Sequence, residues 1–583
     1  MVLKQSSRAA RKSVRVQQID AQAAERPGAL SLGWLWLPAV LLITALAYWP
    51  SLRGPFIFDD YNLPFSDPHV ATAPASFWIG GVRPVLMATY WANYILSGTQ
   101  PFSYHAGNLL LHAITAGMVF FLLRRLLELA GINTRRELLA FFGAGLFLLH
   151  PLQTESVAYI AGRSEVVAGL FYIAAWLAFL VNFRFTFHLR TALAILLLAG
   201  AAVAGKESAI SLPAILFLTD LYWNPATVIE QVRSRATLYV PIVLGGALVA
   251  WKILGSLTSG TAAGFSSAGV SPVLYALTQC RVIPEYIKLF LLPIGQNGDW
   301  GLPFFQSLTD HAAWVWPLGM AALLVVIVAT YRRARLFSFG LATFLVLLLP
   351  TSSFVPIKDA IAERRMYIPI IGLILALLWV LDYAAARLPA LREPRTLGLA
   401  MLLILAVAGG LSFERSKVWS SVTLFWADSV ARNPANSRAH MGLGTGYMVD
   451  GRYADAVREF QTAMNQAGKN DELTNNLASA YQFNHQPALA LDQLRKLEHP
   501  TAATYDRIGY LLAIMGDTPG ALASFQTALQ LDPNDATAYS YRGTTKMAID
   551  DSAGAQADLR RALELEPGNA TALKGMATLT AKH

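Results

Sequence analysis

Long apolar runs separated by short basic loops fill the chain up to about residue 413, and this pattern constrains the fold more than any other feature. A hydrocarbon core about 30 Å thick is crossed by roughly 20 apolar residues in a helix, which satisfies its backbone polar groups internally. With 55% hydrophobic and only 14% charged residues in 583, the sequence is too apolar for a soluble protein of its size. The expected class is all-α: a polytopic transmembrane helical domain followed by something soluble, because beyond about residue 420 the chain turns polar and Ala-rich.

Charge gives the orientation. Lys4, Arg8, Arg11, Lys12 and Arg15 precede the first apolar run, about 33 to 50, and the positive-inside tendency keeps that end in the cytoplasm. The run has no small-residue cleavage site close behind it, and Tyr48-Trp49-Pro50 resembles an interfacial belt, so it reads as an anchor. Further spans are expected near 106 to 123, 137 to 150, 165 to 182, 191 to 205, 208 to 222, 237 to 255, 313 to 330, 336 to 350, 366 to 386 and 397 to 413. The turns with Arg124-Arg125 and Arg135-Arg136, Arg184 and Arg190, Arg233 and Arg235, Arg332, Arg333 and Arg335, and Arg387, Arg392 and Arg395 fall on the cytoplasmic side. Residues 273 to 294 carry Gln279, Arg281, Glu285 and Lys288, and are expected as an interfacial or re-entrant helix. About eleven spans then carry the chain to the outer side. The expected organisation is a cytoplasmic basic segment 1–32, a membrane domain 33–415, a connecting segment 416–436 and a repeat domain 437–583.

The repeats follow from spacing. Gly444, Ala478, Gly509 and Gly543 recur at nearly even intervals, the one between Ala478 and Gly509 being slightly the shortest. They are followed by Ala456, Phe460 and Ala463, by Ala521, Phe525, Ala528 and Pro533, and by Ala555, Leu559, Ala562 and Pro567. Small residues that let paired helices approach, at a period of about 34, are the tetratricopeptide signature; about four repeats are expected. Such solenoids bind peptides or proteins, and a plain spacer is the alternative.

The outer loops hold the polar chemistry. They carry Asp59-Asp60; Arg83-Pro84; His105, Asn108 and His112; His150-Pro151, Glu155 and Arg163; Lys206-Glu207; Lys358-Asp359; and Glu363-Arg364-Arg365, whereas the cytoplasmic loops carry mostly Arg. An isolated Asp pair can be a solvated turn, and Glu207 and Glu363 can simply pair with neighbouring bases. The i, i+3, i+7 spacing puts His105, Asn108 and His112 on one helix face, which must look inward to partners or water. Two His seven residues apart stand about 10 Å apart along a helix, too far for one ion, so a divalent cation is left only to Asp59 and Asp60. Cations on the outer side run against the positive-inside trend and suit a phosphate at headgroup level: Arg364, Arg365, Arg163 and Lys206. The single Cys280 excludes an internal disulfide and a Cys-based metal site, and the net charge of +9 reflects topology, not nucleic-acid binding.

Gly54-Pro55-Phe56-Ile57-Phe58-Asp59-Asp60, Arg83-Pro84, the His105/Asn108/His112 face, the His150 to Arg163 stretch, Lys206-Glu207, Glu363-Arg364-Arg365-Met366-Tyr367 and the trailing repeats together resemble the transmembrane and tetratricopeptide repeat-containing O-mannosyltransferases, of the GT-C class of membrane glycosyltransferases. The resemblance runs in order through nearly the whole chain. It implies inverting transfer of a sugar, mannose in the family, from a polyprenyl-phosphate carrier to an acceptor on the outer side, with the first-loop acid, here Asp59 or Asp60, as base. The acceptor so implied is a protein Ser/Thr hydroxyl. The array is shorter than in the eukaryotic members, its second unit is imperfect, and no Lys-Asp-Glu-Leu terminus closes it. The Ala-, Leu- and Arg-rich composition suggests a bacterial inner-membrane homologue; in a eukaryote the outer side would be the ER lumen.

The transfer also makes chemical sense of the residues. An unactivated hydroxyl needs a base, and the leaving phosphate needs cations. Arg83, His105, Asn108, His112, His150, Glu155, Glu207 and Glu363 are then expected to line the site. The competing class is a non-catalytic scaffold whose repeats recruit outer-side partners. A transporter fits less well, because the ionisable residues crowd one face instead of the bilayer midplane.

Overall fold

The computed structural model describes residues 33–66, 72–183, 188–257, 269–309 and 311–582, which are helical with no strand among them. The expected basic segment 1–32 and Arg184 lie outside the described residues. The chain divides into two compact units: Met1–Gly255 with Leu318–Ser353 and Arg364–Ser416, and Ser256–Pro317 with Phe354–Glu363 and Lys417–His583. The boundary expected at 415 therefore does not separate all that precedes it from the repeats: two stretches of the expected membrane domain are grouped with the array.

Pro101–Leu129, Arg163–Val181, Ile370–Arg387 and Pro394–Ser420 are long and apolar enough to cross a membrane. Two bent pairs, Pro38–Ala47 with Trp49–Asn62 (74°) and Val228–Ser234 with Ala236–Trp251 (90°), raise that number to six at most among the described residues. Leu189–Gly205, Val315–Thr330 and Arg335–Leu348 are apolar but shorter. The expected spans at 137 to 150 and 208 to 222 are the helices Arg136–Leu149 and Leu212–Trp223, of 14 and 12 residues. At a rise of about 1.5 Å per residue, neither reaches by itself across a hydrocarbon core of about 30 Å. Length and composition therefore establish fewer than eleven crossings.

The second unit holds the array. Helical pairs Ser437–Val449 and Tyr453–Ala467, Asp471–Phe483 and Pro487–Leu494, Ala502–Ile514 and Thr518–Leu531, and Ala536–Met547 and Ser552–Leu565 are followed by a last helix, Ala570–Lys582. The glycine positions work as the spacing requires: a Cβ on Gly444 would stand 2.6 Å from Phe460, and one on Gly509 2.6 Å from Phe525. The shortness of the Pro487–Leu494 helix accounts for the reduced interval between Ala478 and Gly509. The connecting segment is itself helical over Val422–Arg432, and its Trp426 packs on Gly442 of the first repeat. The stretch at 273 to 294 is the helix Pro272–Leu291, in this unit.

Candidate functional site

The site is built on the Pro101–Leu129 helix, whose polar face meets three different segments. His105 Nε2 donates to the Gly54 carbonyl at 3.2 Å and so holds the start of the acidic stretch. Asn108 Nδ2 donates to the carbonyls of Val157 (3.3 Å) and Tyr159 (3.1 Å), fixing the turn after the short helix Thr154–Ala158. His112 Nε2 faces the Leu148 carbonyl at 3.1 Å, an acceptor only, so Nδ1 accepts from the Tyr367 hydroxyl at 2.9 Å. All three are buried, so they position the site and do not line its surface.

The two aspartates have different surroundings. Phe58, immediately before them, adopts φ +56, the left-handed region that bulky side chains avoid, and the turn Phe58–Asn62 follows. Asp60 is 1% exposed; its Oδ2 accepts from Ile57 N–H (3.0 Å) and its Oδ1 from Ala161 N–H (2.7 Å). Asp59 is exposed, and its N–H donates to the Tyr159 hydroxyl at 2.8 Å. The exposed carboxylate is therefore presented by a turn that the buried one ties down.

Burial pushes the Asp60 carboxyl up to about 7, with the Asp59 charge acting in the same direction and the two amide bonds and Arg163 opposing. An unfolded Asp releases its proton near 3.8. Between these values the folded chain holds the extra proton, so the stabilisation is full below about pH 4 and is lost as pH rises through about 7. Thermal unfolding in detergent across that range should show stability falling with pH in wild type and a flatter profile in Asp60→Asn. Equal slopes would remove Asp60 as the titrating group.

Three of the cations expected on the outer side are paired. Arg83 is bidentate on Glu207, with Nε at 2.9 Å from Oε1 and Nη2 at 2.7 Å from Oε2. Lys206 pairs with Glu165, and Arg364 pairs through its guanidinium with Glu155, whose other oxygen accepts the Arg364 N–H at 2.9 Å. Burial lowers Lys206 from the usual lysine range; Glu165 opposes this, and the nearby Arg83 and Arg364 charges add to it. Burial, Asp60 and Asp59 raise the Tyr159 phenol well above its usual value while Arg364 pulls it down, so Tyr159 is within electrostatic reach of both acids and cations.

Arg163 differs from the expectation that it meets a phosphate. At 1% exposure its guanidinium donates to Asn108 Oδ1 (2.6 Å), Asn93 Oδ1 (2.6 Å), the Thr89 carbonyl (3.2 Å) and the Tyr104 carbonyl (2.7 Å), and lies over the Tyr90 ring at 4.7 Å. It braces the scaffold under the acidic turn. His150 Nδ1 accepts from Leu152 N–H at 3.2 Å, capping the Pro151–Gln153 turn, and Arg365 is buried. Glu363 belongs to the second unit, where it meets Gln296 and Asn297. Sequence reasoning missed Tyr159 and Glu165; both fall within or beside the His150 to Arg163 stretch, with no charge pattern of their own to mark them.

Among the described residues no three His, Cys, Asp or Glu side chains converge in a way that could hold a metal ion. Both Asp60 oxygens already accept amides, so the pair fits a divalent cation poorly.

A protein O-mannosyl-transferase of Caenorhabditis elegans is 23% identical over 457 residues, covering 73% of this chain and 62% of its own length. The human protein O-mannosyl-transferase TMTC1 is 23% identical over 499 residues, covering 75% and 55%. The chain's relatives are protein O-mannosyl-transferases. It spans a little over half the length of these curated relatives. Residues 509–548 match the family model described as TPR repeat. The crystal structure of YrrB, described as a TPR protein with an unusual peptide-binding site, is similar at 22% identity and a TM-score of 0.25, over 34% of this chain and 97% of that one.

Proposed function

We propose that the chain, like the protein O-mannosyl-transferases it is similar to, is a membrane glycosyltransferase moving a sugar from a polyprenyl-phosphate carrier to a Ser/Thr hydroxyl of a protein acceptor, with inversion. The observation that carries this reading is the exposed side chain of Asp59, whose backbone N–H is tied to the Tyr159 hydroxyl, in the same unit as the Arg83, Lys206 and Arg364 cluster. Asp59 takes the proton of the acceptor hydroxyl, and the oxygen attacks the anomeric carbon. The bond from that carbon to the phosphate oxygen breaks, its electron pair stays on the phosphate, and the polyprenyl phosphate leaves. Arg364 and Lys206, with Arg83 behind them, offset the charge that develops there. The repeats bind the acceptor or a partner. The sugar-donor side faces the periplasm, or a lumen, with the N-terminus in the cytoplasm.

The test is transfer of labelled sugar from polyprenyl phosphate to proteins in membranes with and without the chain; equal labelling would sink the reading and favour the scaffold. An alkaline phosphatase fused after His583 should be active, and an inactive fusion at normal expression would overturn the orientation. Removing Arg364 as the pair Arg364→Ala/Glu155→Gln avoids stranding a buried carboxylate. It should weaken donor binding by about 1.5–3 kcal/mol, the worth of a charge-assisted contact. Unchanged donor affinity in titrations would remove Arg364 from the phosphate site.

A further inference from the structure

The second unit holds a hydrogen-bonded path from the first repeat to Glu363. The Glu363 carboxylate, 1% exposed, accepts from the Asn297 N–H at 2.6 Å and from Gln296 Nε2 at 2.7 Å. A little further on, the loop is caught again. Asp299 N–H donates to Asn297 Oδ1 at 3.0 Å, and the buried Asp299 carboxylate accepts from Arg438 Nε at 2.8 Å and pairs with its Nη2. Asn436, the cap of the first repeat helix, adds Nδ2 bonds of 3.1 Å to the Asp299 carbonyl and to its Oδ2.

The same Arg438 reaches the other side of the seat. Its Nη2 stands 2.8 Å from Asp359 Oδ1, at the head of the segment that ends in Glu363. That segment is fixed residue by residue. Gln279 donates to the Ala360 carbonyl at 2.9 Å, and the Tyr286 hydroxyl donates to the Ala362 carbonyl (3.0 Å) while accepting from the Ala362 N–H (3.2 Å). One guanidinium between two carboxylates is thus common to the loop that seats Glu363 and to the segment that bears it. An ammonium, with no planar fork, could not span both in this way.

We propose that Arg438 is a positioning residue for the transfer step: from the first tetratricopeptide helix it fixes, through Asp299 and Asp359, the seat of Glu363. Glu363 is joined by one peptide bond to Arg364. The first repeat is therefore needed for donor chemistry itself, and not only for meeting an acceptor. This rests on the functional reading above.

The experiment compares full-length wild type, Arg438→Ala, Arg438→Lys and Arg542→Ala in detergent. Arg542 makes a similar pair with Asp558 in the last repeat and serves as the control for damage to the array. One readout is turnover of polyprenyl-phosphate-linked sugar with water or a short Ser/Thr peptide as acceptor; the other is hydrogen exchange of the amides at 294–301 and 359–363. The expected result is a kcat at least about tenfold lower in Arg438→Ala with the peptide KM unchanged. Arg438→Lys should lie between it and wild type, exchange should quicken at Asn297 and Ala362, and Arg542→Ala should behave as wild type. Turnover in Arg438→Ala equal to wild type, or a change confined to the peptide KM, would overturn the proposal. So would an equal loss in Arg542→Ala. If wild type itself turned over no donor, the functional reading would fall and the role in transfer with it, while the exchange arm would still report whether Arg438 holds the seat.

Discussion

Asp59→Asn should lower sugar transfer by at least about a hundredfold while the protein still inserts and still binds its lipid donor. The amide keeps the size and the exposed position of the side chain, and the backbone N–H keeps its bond to Tyr159, but an amide cannot take up the acceptor's proton. Asp60→Asn should also lose activity, for another reason. Asp60 offers an acceptor to Ile57 N–H and another to Ala161 N–H, and an Asn would turn an NH2 group against one of those donors. Its loss should therefore come with a loosened turn, visible as faster exchange at Ile57 and Ala161, whereas Asp59→Asn should leave those amides protected. Transfer of labelled sugar from polyprenyl phosphate, measured beside exchange in both variants, separates the two roles. Activity near wild type in Asp59→Asn would end its assignment as base.

Arg163→Ala should cost about 3 kcal/mol or more of stability, since it leaves several hydrogen-bond acceptors without their donor at about 1–3 kcal/mol for each one that is buried. The substitution strands the amide oxygens of Asn108 and Asn93 and the carbonyls of Thr89 and Tyr104, of which Asn108 and Tyr104 are fully buried. Arg163→Lys should recover only part, since one ammonium cannot reach acceptors spread around a planar guanidinium. Unfolding in detergent by heat or denaturant is the check. If Arg163→Ala unfolded like wild type but bound donor poorly, Arg163 would be a phosphate ligand after all and not a brace.

Why the sequence revealed some of this and not the rest can be seen in particular residues. The repeats were legible because Gly444 and Gly509 must be small for Phe460 and Phe525 to close on them, and a period of that kind needs no tertiary knowledge. The His105, Asn108 and His112 face was legible because helical spacing alone puts those residues together, although not that each would meet a different segment. The bracing by Arg163 was not legible because its partners Asn93 and Asn108 lie 70 and 55 residues away, and charge pattern does not distinguish a braced guanidinium from one awaiting an anion. The different surroundings of Asp59 and Asp60 were equally out of reach, since they depend on the turn at Ala161, 101 residues on from Asp60. The grouping of Asp359 and Glu363 with the repeats depends on contacts to Asp299 and Arg438 that no local rule foreshadows.

The pairing of Glu155 with Arg364, 209 residues apart, sets an order in time. A ribosome delivering about 5–20 residues per second makes Asp59 early and Arg364 some 300 residues later, an interval of about 15–60 seconds. Throughout that interval the acid is present with no Arg364 to pair with Glu155 beside it. The nascent chain can fold its first helices, yet it lacks one cation of the site until its last apolar helices are being made. On the proposed reading, a chain that stalls before Arg364 carries a half-built site.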